Sequence, residues 1–158
     1  MIDIIRRQQQ TSTQLAVVQN VEQPDATITL TRTALQAITT AGTLITWQSL
    51  TRGNMTWSGT GITIPTNGYY LIQTRIATSA NVTLFQQIQL NGTNLGYFAA
   101  TEVTSTYHTG TTMRYLLAND VIRLRLLPSA NVNVTQAAEN TLAESPFIHV
   151  TQLTRVTA

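Results

Sequence analysis

The stretch that decides the fold runs from residue 62 to residue 125 and contains three blocks, ITIPTNGYYLIQTRIA (62–77), VTLFQQIQLNG (82–92) and MRYLLANDVIRLR (113–125). Within each block apolar and polar residues alternate, which buries one face of a β-strand. The alternating runs are separated by turn dipeptides, namely Asn67-Gly68, Asn91-Gly92 and Asn119-Asp120. Because Asn and Gly tolerate positive φ angles, such pairs favour tight hairpins. The pattern predicts an all-β sandwich of antiparallel strands.

The composition fits one globular domain and excludes several classes of function. Of the 158 residues, 42% are hydrophobic and only 10% are charged, and this length suffices for a sizeable core. All nine basic residues are arginine, which fits either an interface role or the codon bias of the source genome. Because the arginines are scattered and not interleaved with aromatic residues, we expect no nucleic-acid partner. No apolar run could span a bilayer, so no membrane partner is expected either.

Residues 1–26 differ from the remainder of the chain. A small cluster of isoleucines precedes an arginine pair and a polar run, QQQTSTQ. Terminal isoleucines are costly to leave in water, so we interpret 1–26 as an arm that docks on a partner and 27–158 as the folded domain. A frayed terminus is the alternative. The candidate docking residues are Ile2, Ile4, Ile5, Arg6 and Arg7.

After this arm, eight to ten strands can be counted and no helix. This is the strand count of a two-sheet jelly roll. The segment TRGNMTWSGTGITIPTNGYYLI (51–72) then resembles the signature of the tumour necrosis factor and complement globular-head superfamily. The matching residues are Asn54, Trp57, Gly61, Ile62, Ile64, Pro65, Gly68, Tyr70 and Ile72. Blocks 82–92, 116–125 and 145–153 match in the same order, with Asn119 where glycine is usual.

The resemblance implies a ten-stranded jelly roll that assembles as a homotrimer, with one sheet of each subunit facing the three-fold axis. Strands of such a sheet need apolar residues on both faces. The neighbouring residues Tyr69 and Tyr70, and Phe85 beside Leu84, fit that requirement. An ordinary sandwich core would explain one residue of each pair. The candidate trimer-interface residues are Tyr69, Tyr70, Phe85, Tyr115 and Phe147.

No sequence motif for catalysis or cofactor binding is found, so we expect neither enzyme activity nor a cofactor. The two histidines, His108 and His149, are interpreted as structural or surface residues, and Asp120 as a turn residue that binds nearby amides. Calcium sites need several clustered oxygen ligands. Glu139, Asn140 and Glu144 form the one loose cluster of that kind, and no metal is expected.

The leading functional hypothesis is a structural protein of a virus particle. No Gly-X-Y stem, signal sequence or membrane anchor precedes the domain, so a cytokine or complement function is not expected. Trimers of this fold also resemble bacteriophage capsid cement proteins and fibre knobs. We therefore expect a homotrimeric capsid decoration protein on the virion surface. It would be made in the host cytoplasm, and its arm would bind the major capsid protein or another shell protein.

Two alternatives remain at this point. The first is a receptor- or glycan-binding knob of a phage head or tail fibre, with host surface glycans as partners and the loops at 94–97 or 130–141 carrying specificity. The second is a free bacterial lectin-like trimer. A fibre protein normally has a long shaft, which this sequence lacks, so the decoration protein is favoured.

Overall fold

A computed structural model describes residues 26–100, 104–135 and 145–155. These residues form thirteen β-strands, eight of which are five or more residues long. Within the described ranges no helix is long and apolar enough to cross a membrane. The strands are β1 (Thr27–Thr31), β2 (Gln36–Ile38), β3 (Thr43–Leu44), β4 (Ser49–Gly53), β5 (Thr56–Ser58), β6 (Gly61–Thr63), β7 (Gly68–Val82), β8 (Leu84–Leu90), β9 (Thr93–Ala100), β10 (Ser105–Leu116), β11 (Val121–Pro128), β12 (Val132–Val134) and β13 (Phe147–Arg155).

The strands form two antiparallel sheets that pack face to face, which confirms the predicted all-β sandwich. Sheet one has seven strands in the order β2-β12-β7-β13-β1-β4, and β10 also pairs with β7. Sheet two has six strands in the order β5-β6-β11-β8-β9, and β3 also pairs with β11. The long strand β7 therefore has three pairing partners in sheet one, and β11 has three in sheet two.

Alternation along the central strands places the core between the two sheets. On β7, Tyr70 and Ile72 are fully buried, whereas the neighbouring Tyr69 is exposed. On β11, Ile122 and Leu124 are fully buried and the residues between them are half-buried. Successive side chains on a pleated strand point to opposite faces, so every second residue enters the core. The period-two pattern thus fixes which side chains are buried.

Two of the three predicted turns have the expected backbone conformation. Asn91 and Gly92 have φ angles of 50° and 87° and join β8 to β9. Asn119, with a φ of 69°, lies in the turn that joins β10 to β11. The prediction is wrong for the pair at 67–68, where neither residue has a positive φ. Gly68 there begins β7 and is buried, and the Asn67 Oδ1 accepts a hydrogen bond from the Ala118 N–H of the β10–β11 turn at 2.8 Å instead.

Asp120 ties the β8–β9 and β10–β11 turns together. Its carboxylate accepts hydrogen bonds from the Leu117 N–H at 2.8 Å and from the Asn91 Nδ2 at 2.7 Å. The Asn91 Oδ1 in turn accepts from the Val121 N–H at 2.8 Å. A carboxylate that accepts from main-chain amides stabilises a turn more than a neutral side chain does. The predicted turn role of Asp120 is confirmed.

Two of the three leucines of β11 test how far the core depends on this alternation. We expect Leu124→Ala to lower the free energy of unfolding by about 2–5 kcal/mol, because it opens a cavity at a fully buried position. Leu127→Ala, at a half-buried position of the same strand, should cost about 1 kcal/mol or less. Urea unfolding followed by circular dichroism measures both losses of unfolding free energy. Equal losses would contradict the placement of Leu124 in the core and of Leu127 on the outward face of β11.

Candidate functional site

The outward face of sheet one carries a cluster of large apolar side chains. Tyr69 on β7 is paired with Tyr115 on β10, and Leu71 is paired with Met113. The two tyrosine rings make an edge-to-face contact with 5.3 Å between centroids. Both tyrosines are 45% exposed and Met113 is 57% exposed. We call these four residues the tyrosine cluster. An exposed apolar patch of this kind is a candidate contact surface.

A second apolar group lies farther along the same face. Phe147 on β13 is paired with Arg75 on β7. The Arg75 guanidinium carbon lies 5.1 Å from the centroid of the Phe147 ring, a cation–π contact. One amino group of Arg75 also donates to the Ser145 carbonyl oxygen at 3.1 Å. These contacts fix Arg75 flat against the sheet, so its methylene groups and the Phe147 ring share one surface.

A polar row separates the two apolar groups. His149 on β13 is paired with Thr29 on β1, which is paired with Arg52 on β4. The Thr29 Oγ1 and the His149 Nδ1 lie 2.8 Å apart and share a hydrogen bond. Burial, followed by the positive charge of Arg52, lowers the pKa of His149. His149 is therefore neutral at pH 7, and the charge of the row comes from Arg52.

Solved structures of known proteins share the two-sheet architecture. Murine APRIL, in a crystal structure at pH 5.0, superposes with a TM-score of 0.59 at 13% identity, covering 81% of this chain and 98% of its own. The globular domain of zebrafish complement 1qA protein gives 0.58 at 8% identity, covering 83% and 99%. Eiger TNF from S. frugiperda gives 0.58 at 14% identity, covering 86% and 97%. The chain has a tumour-necrosis-factor-like jelly-roll fold.

At such low sequence identity, these superpositions establish the fold alone. They confirm the resemblance drawn from the sequence blocks. No protein-family profile matches the sequence, and no curated protein matches it. What the TNF-like fold does in this chain has to be argued from its own surfaces.

Three of the five predicted interface residues lie together in the TNF-like sandwich. Tyr69, Tyr115 and Phe147 all sit on the outward face of sheet one. The prediction is wrong for Tyr70, which has no exposed surface. Its ring lies in the core and its hydroxyl donates to the Thr66 carbonyl oxygen at 2.8 Å. A side chain buried within one subunit offers no surface to another.

Phe85 belongs to the other sheet. It lies on β8 and is 41% exposed, and its ring lies 5.2 Å from that of Tyr97 on β9. Since β8 and β9 are in sheet two, Phe85 faces away from the tyrosine cluster on the opposite side of the sandwich. One flat surface cannot contain both Phe85 and Tyr69. The sequence showed that each belongs to a two-sided strand, but not that the two strands lie in different sheets.

Other predicted site residues fall outside the described part of the chain. These are Ile2, Ile4, Ile5, Arg6 and Arg7 of the arm, and Glu139, Asn140 and Glu144 of the loose oxygen cluster. Ala26, the last residue assigned to the arm, is described and is buried, and its carbonyl oxygen accepts from the Gln152 N–H at 2.8 Å. Among the described residues, no group of three or more His, Cys, Asp or Glu could hold a metal ion.

His108 lies in the interior, among the buried polar residues of the sandwich. It is 1% exposed, and its Nε2 lies 3.3 Å from the hydroxyl of buried Thr78. Nearby on β7, the Thr74 hydroxyl donates to the Oε1 of Gln86, which is fully buried. Burial lowers the pKa of His108, and a backbone hydrogen bond at Ser105 partly opposes this shift.

The lowered pKa of His108 makes stability depend on pH. The unfolded chain, with a histidine pKa of about 6.5, binds the proton more tightly than the folded chain does. The stabilisation is therefore complete above pH 6.5 and is lost as pH falls toward the lowered folded pKa. We expect the loss of unfolding free energy between pH 7.5 and pH 5 to be smaller in His108→Gln than in the wild type.

Urea unfolding at several pH values measures this loss, and the readout is the pH slope rather than the absolute stability of the variant. His149→Gln is the companion variant. Because burial and the charge of Arg52 lower the pKa of His149 as well, its removal should also reduce the slope, and the double variant should reduce it further. A slope that stays unchanged in His108→Gln would contradict the interpretation of His108 as a buried neutral group.

Proposed function

We propose that this chain is a homotrimeric, non-enzymatic decoration protein of a virus particle. In this proposal the outward face of sheet one forms the contact between subunits, and residues 1–26 bind a shell protein. The tyrosine cluster is the observation that carries the self-association, because it exposes large apolar side chains of two adjacent strands on one face. The resemblance to the TNF and complement superfamily supplies the three-fold symmetry.

The energetics favour a contact that covers the whole face. Each side chain of the tyrosine cluster is already about half-buried in the single chain, so its remaining burial contributes on the order of 1 kcal/mol. Association costs several kcal/mol of lost translational and rotational freedom, on the order of 4–15 kcal/mol. The cluster alone does not offset that cost. The Phe147–Arg75 pair and the polar row of His149 and Arg52 must therefore be part of the interface as well.

The role on a particle is supported by the composition of the arm. Ile2, Ile4 and Ile5 provide an apolar anchor, and Arg6 and Arg7 can pair with carboxylates of a shell protein. A trimer carries three arms, and simultaneous engagement raises the overall affinity far above that of one arm. A stable decoration protein therefore does not need strong contacts at any single arm.

A receptor-binding knob is the second candidate function. The observation that favours it is the exposed aromatic pair of Phe85 and Tyr97 on sheet two, which faces away from the proposed subunit contact. The number of copies per particle distinguishes the two functions. Hundreds of copies would indicate decoration of the shell, and tens or fewer would indicate a fibre.

A single charge on the tyrosine cluster should prevent trimer formation. We expect the wild type to sediment as a trimer and Met113→Lys as a monomer, because an assembled trimer would bury three unpaired ammonium groups. Sedimentation equilibrium at micromolar concentration measures the mass of both.

Tyr97→Lys is the matched control for this experiment. Tyr97 is 56% exposed, close to the value for Met113, but it lies on sheet two. This variant should remain trimeric. A monomeric wild type, or loss of the trimer in Tyr97→Lys alone, would contradict the assignment of the interface to sheet one.

Deletion of residues 2–9 tests the arm. We expect the truncated protein to remain a folded trimer but to lose binding to shells from which the native protein has been removed. Cosedimentation with such shells measures the binding. A milder variant, Arg6→Ala combined with Arg7→Ala, should weaken binding relative to the wild type more at low salt than at high salt, because salt screens the ion pairs that the two arginines make. Unchanged binding after the deletion would remove the arm from the proposal.

A further inference from the structure

The outward face of sheet two carries a second exposed surface, on the far side of the sandwich from the tyrosine cluster. Phe85 and Tyr97 are 41% and 56% exposed, and their ring planes are inclined by 44°. Strand pairing places polar side chains directly beside these rings. Gln87 pairs with Tyr97 on one side and with Arg125 on the other. Together with Arg123, these residues form what we call the aromatic–arginine platform.

The middle of the platform is held rigidly. The Gln87 Nε2 donates to the Leu95 carbonyl oxygen, and the Gln87 Oε1 accepts from Arg125 at 3.1 Å. Arg125 also donates to the Ala41 carbonyl oxygen. The guanidinium lies directly over Gly42, where an added Cβ would come within 2.4 Å of it. Because these side chains are already ordered, ligand binding costs little of their conformational entropy.

Arg123 supplies hydrogen-bond donors that the fold does not use. It is half-buried on the same outward face, two residues before Arg125, and its guanidinium makes no hydrogen bond or ion pair with any described residue. Asp120 has the single acidic side chain within the described ranges, and that carboxylate is bound by Leu117 and Asn91. The positive charge of Arg123 therefore has no carboxylate partner among the described residues of this face.

We propose that the aromatic–arginine platform binds a carboxylate-bearing sugar, such as a uronic or sialic acid residue of a glycan. The C–H face of a pyranose ring packs on an exposed aromatic ring. Because β8 separates Arg123 on β11 from Tyr97 on β9, the ring that packs on the aromatic pair and the carboxylate belong to neighbouring residues of one oligosaccharide. The planar guanidinium of Arg123 pairs with that carboxylate through two parallel hydrogen bonds. The amide of Gln89, which is paired with Arg123, lies beside that arginine on the same face, where a sugar hydroxyl can bind.

Each part of this ligand is required by a different observation. A neutral sugar would use the rings and leave Arg123 without a counter-charge. An acidic peptide would use Arg123 and leave the exposed faces of Phe85 and Tyr97 uncovered. An acidic sugar matches both features on one flat surface. This proposal depends neither on the trimer nor on the particle, and it names the ligand class that the second candidate function would need.

The test measures binding of the full chain to defined probes by isothermal titration calorimetry. The acidic probes are trigalacturonic acid and 3′-sialyllactose, which separate a uronic from a sialic acid source. The matched neutral probes are the methyl ester of trigalacturonic acid and lactose, and tetraglutamate is the acidic peptide. We expect at least one acidic sugar to bind, and its neutral counterpart and tetraglutamate to bind roughly tenfold more weakly or worse.

Variants locate the site. Arg123→Gln and Tyr97→Ala should each weaken binding of the acidic sugar by roughly tenfold. The matched control is Tyr107→Ala, which changes an exposed tyrosine of sheet one and should leave binding unchanged. Circular dichroism verifies that each variant is folded.

Saturation-transfer NMR on the unchanged chain gives a second readout, independent of whether the variants fold. Irradiation of the aromatic protons should transfer saturation to the sugar ring protons. The proposal is overturned if neither acidic sugar binds at millimolar concentration or if a neutral sugar or tetraglutamate binds equally well. It is also overturned if the platform variants bind like the control, or if no transfer reaches the sugar ring. None of these outcomes bears on the mass of the trimer.

Discussion

The pairing of β7 with β10, β12 and β13 is the constraint on which the remainder of the structure depends. This strand spans Gly68–Val82 and contributes to both the core and the outward face of sheet one. Its inward residues Ile72 and Ile76 are fully buried. A slip of one residue would move Arg75 into the core and expose Ile76, so the register is strongly specified. The same register puts Tyr69 on the outward face beside Tyr115.

The fold class could be predicted from the sequence because strands and turns are indicated by local patterns. Alternation with period two reports which residues share a face, and the Asn91-Gly92 pair reports a hairpin. The sequence did not predict which residues share an outward face, because the neighbours of a strand are set by non-local pairing. Tyr69 and Tyr70 are adjacent residues of the same type, and the sequence does not show which of them faces the core. In the structure, the core lies on the side of Tyr70, which is therefore buried. Phe85 looks like Tyr69 for the same reason, although its strand lies in the other sheet.

Three of the nine arginines have structural roles that the composition alone did not reveal. Arg32 is 7% exposed, and its guanidinium donates to the carbonyl oxygens of Thr46 and Leu35. Burial lowers the pKa of Arg32, but a guanidinium remains charged because its ordinary pKa is so high. Arg75 and Arg125 likewise donate to main-chain carbonyl oxygens of loops. A planar fork can bind two such oxygens at once, which the single ammonium of lysine does less well. Arg123 differs from these three because it makes no such contact with the described residues, so its charge serves no evident role in the fold.

The outward faces of sheet one and sheet two can be occupied at the same time, because the core of the sandwich separates them. If sheet one of each subunit faces a three-fold axis, sheet two faces away from it, and the assembly displays three aromatic–arginine platforms on its periphery. Simultaneous binding of a multivalent glycan then raises the overall affinity by orders of magnitude over that of one platform. A flat platform with one ion pair and one stacked sugar ring binds weakly by itself, since it buries little of the ligand. Weak sites of this kind become useful on an oligomer, and more so on a surface that displays many oligomers. The proposed self-association through Tyr69 and Tyr115 and the proposed recognition through Tyr97 and Arg123 would therefore reinforce each other, although neither requires the other to form.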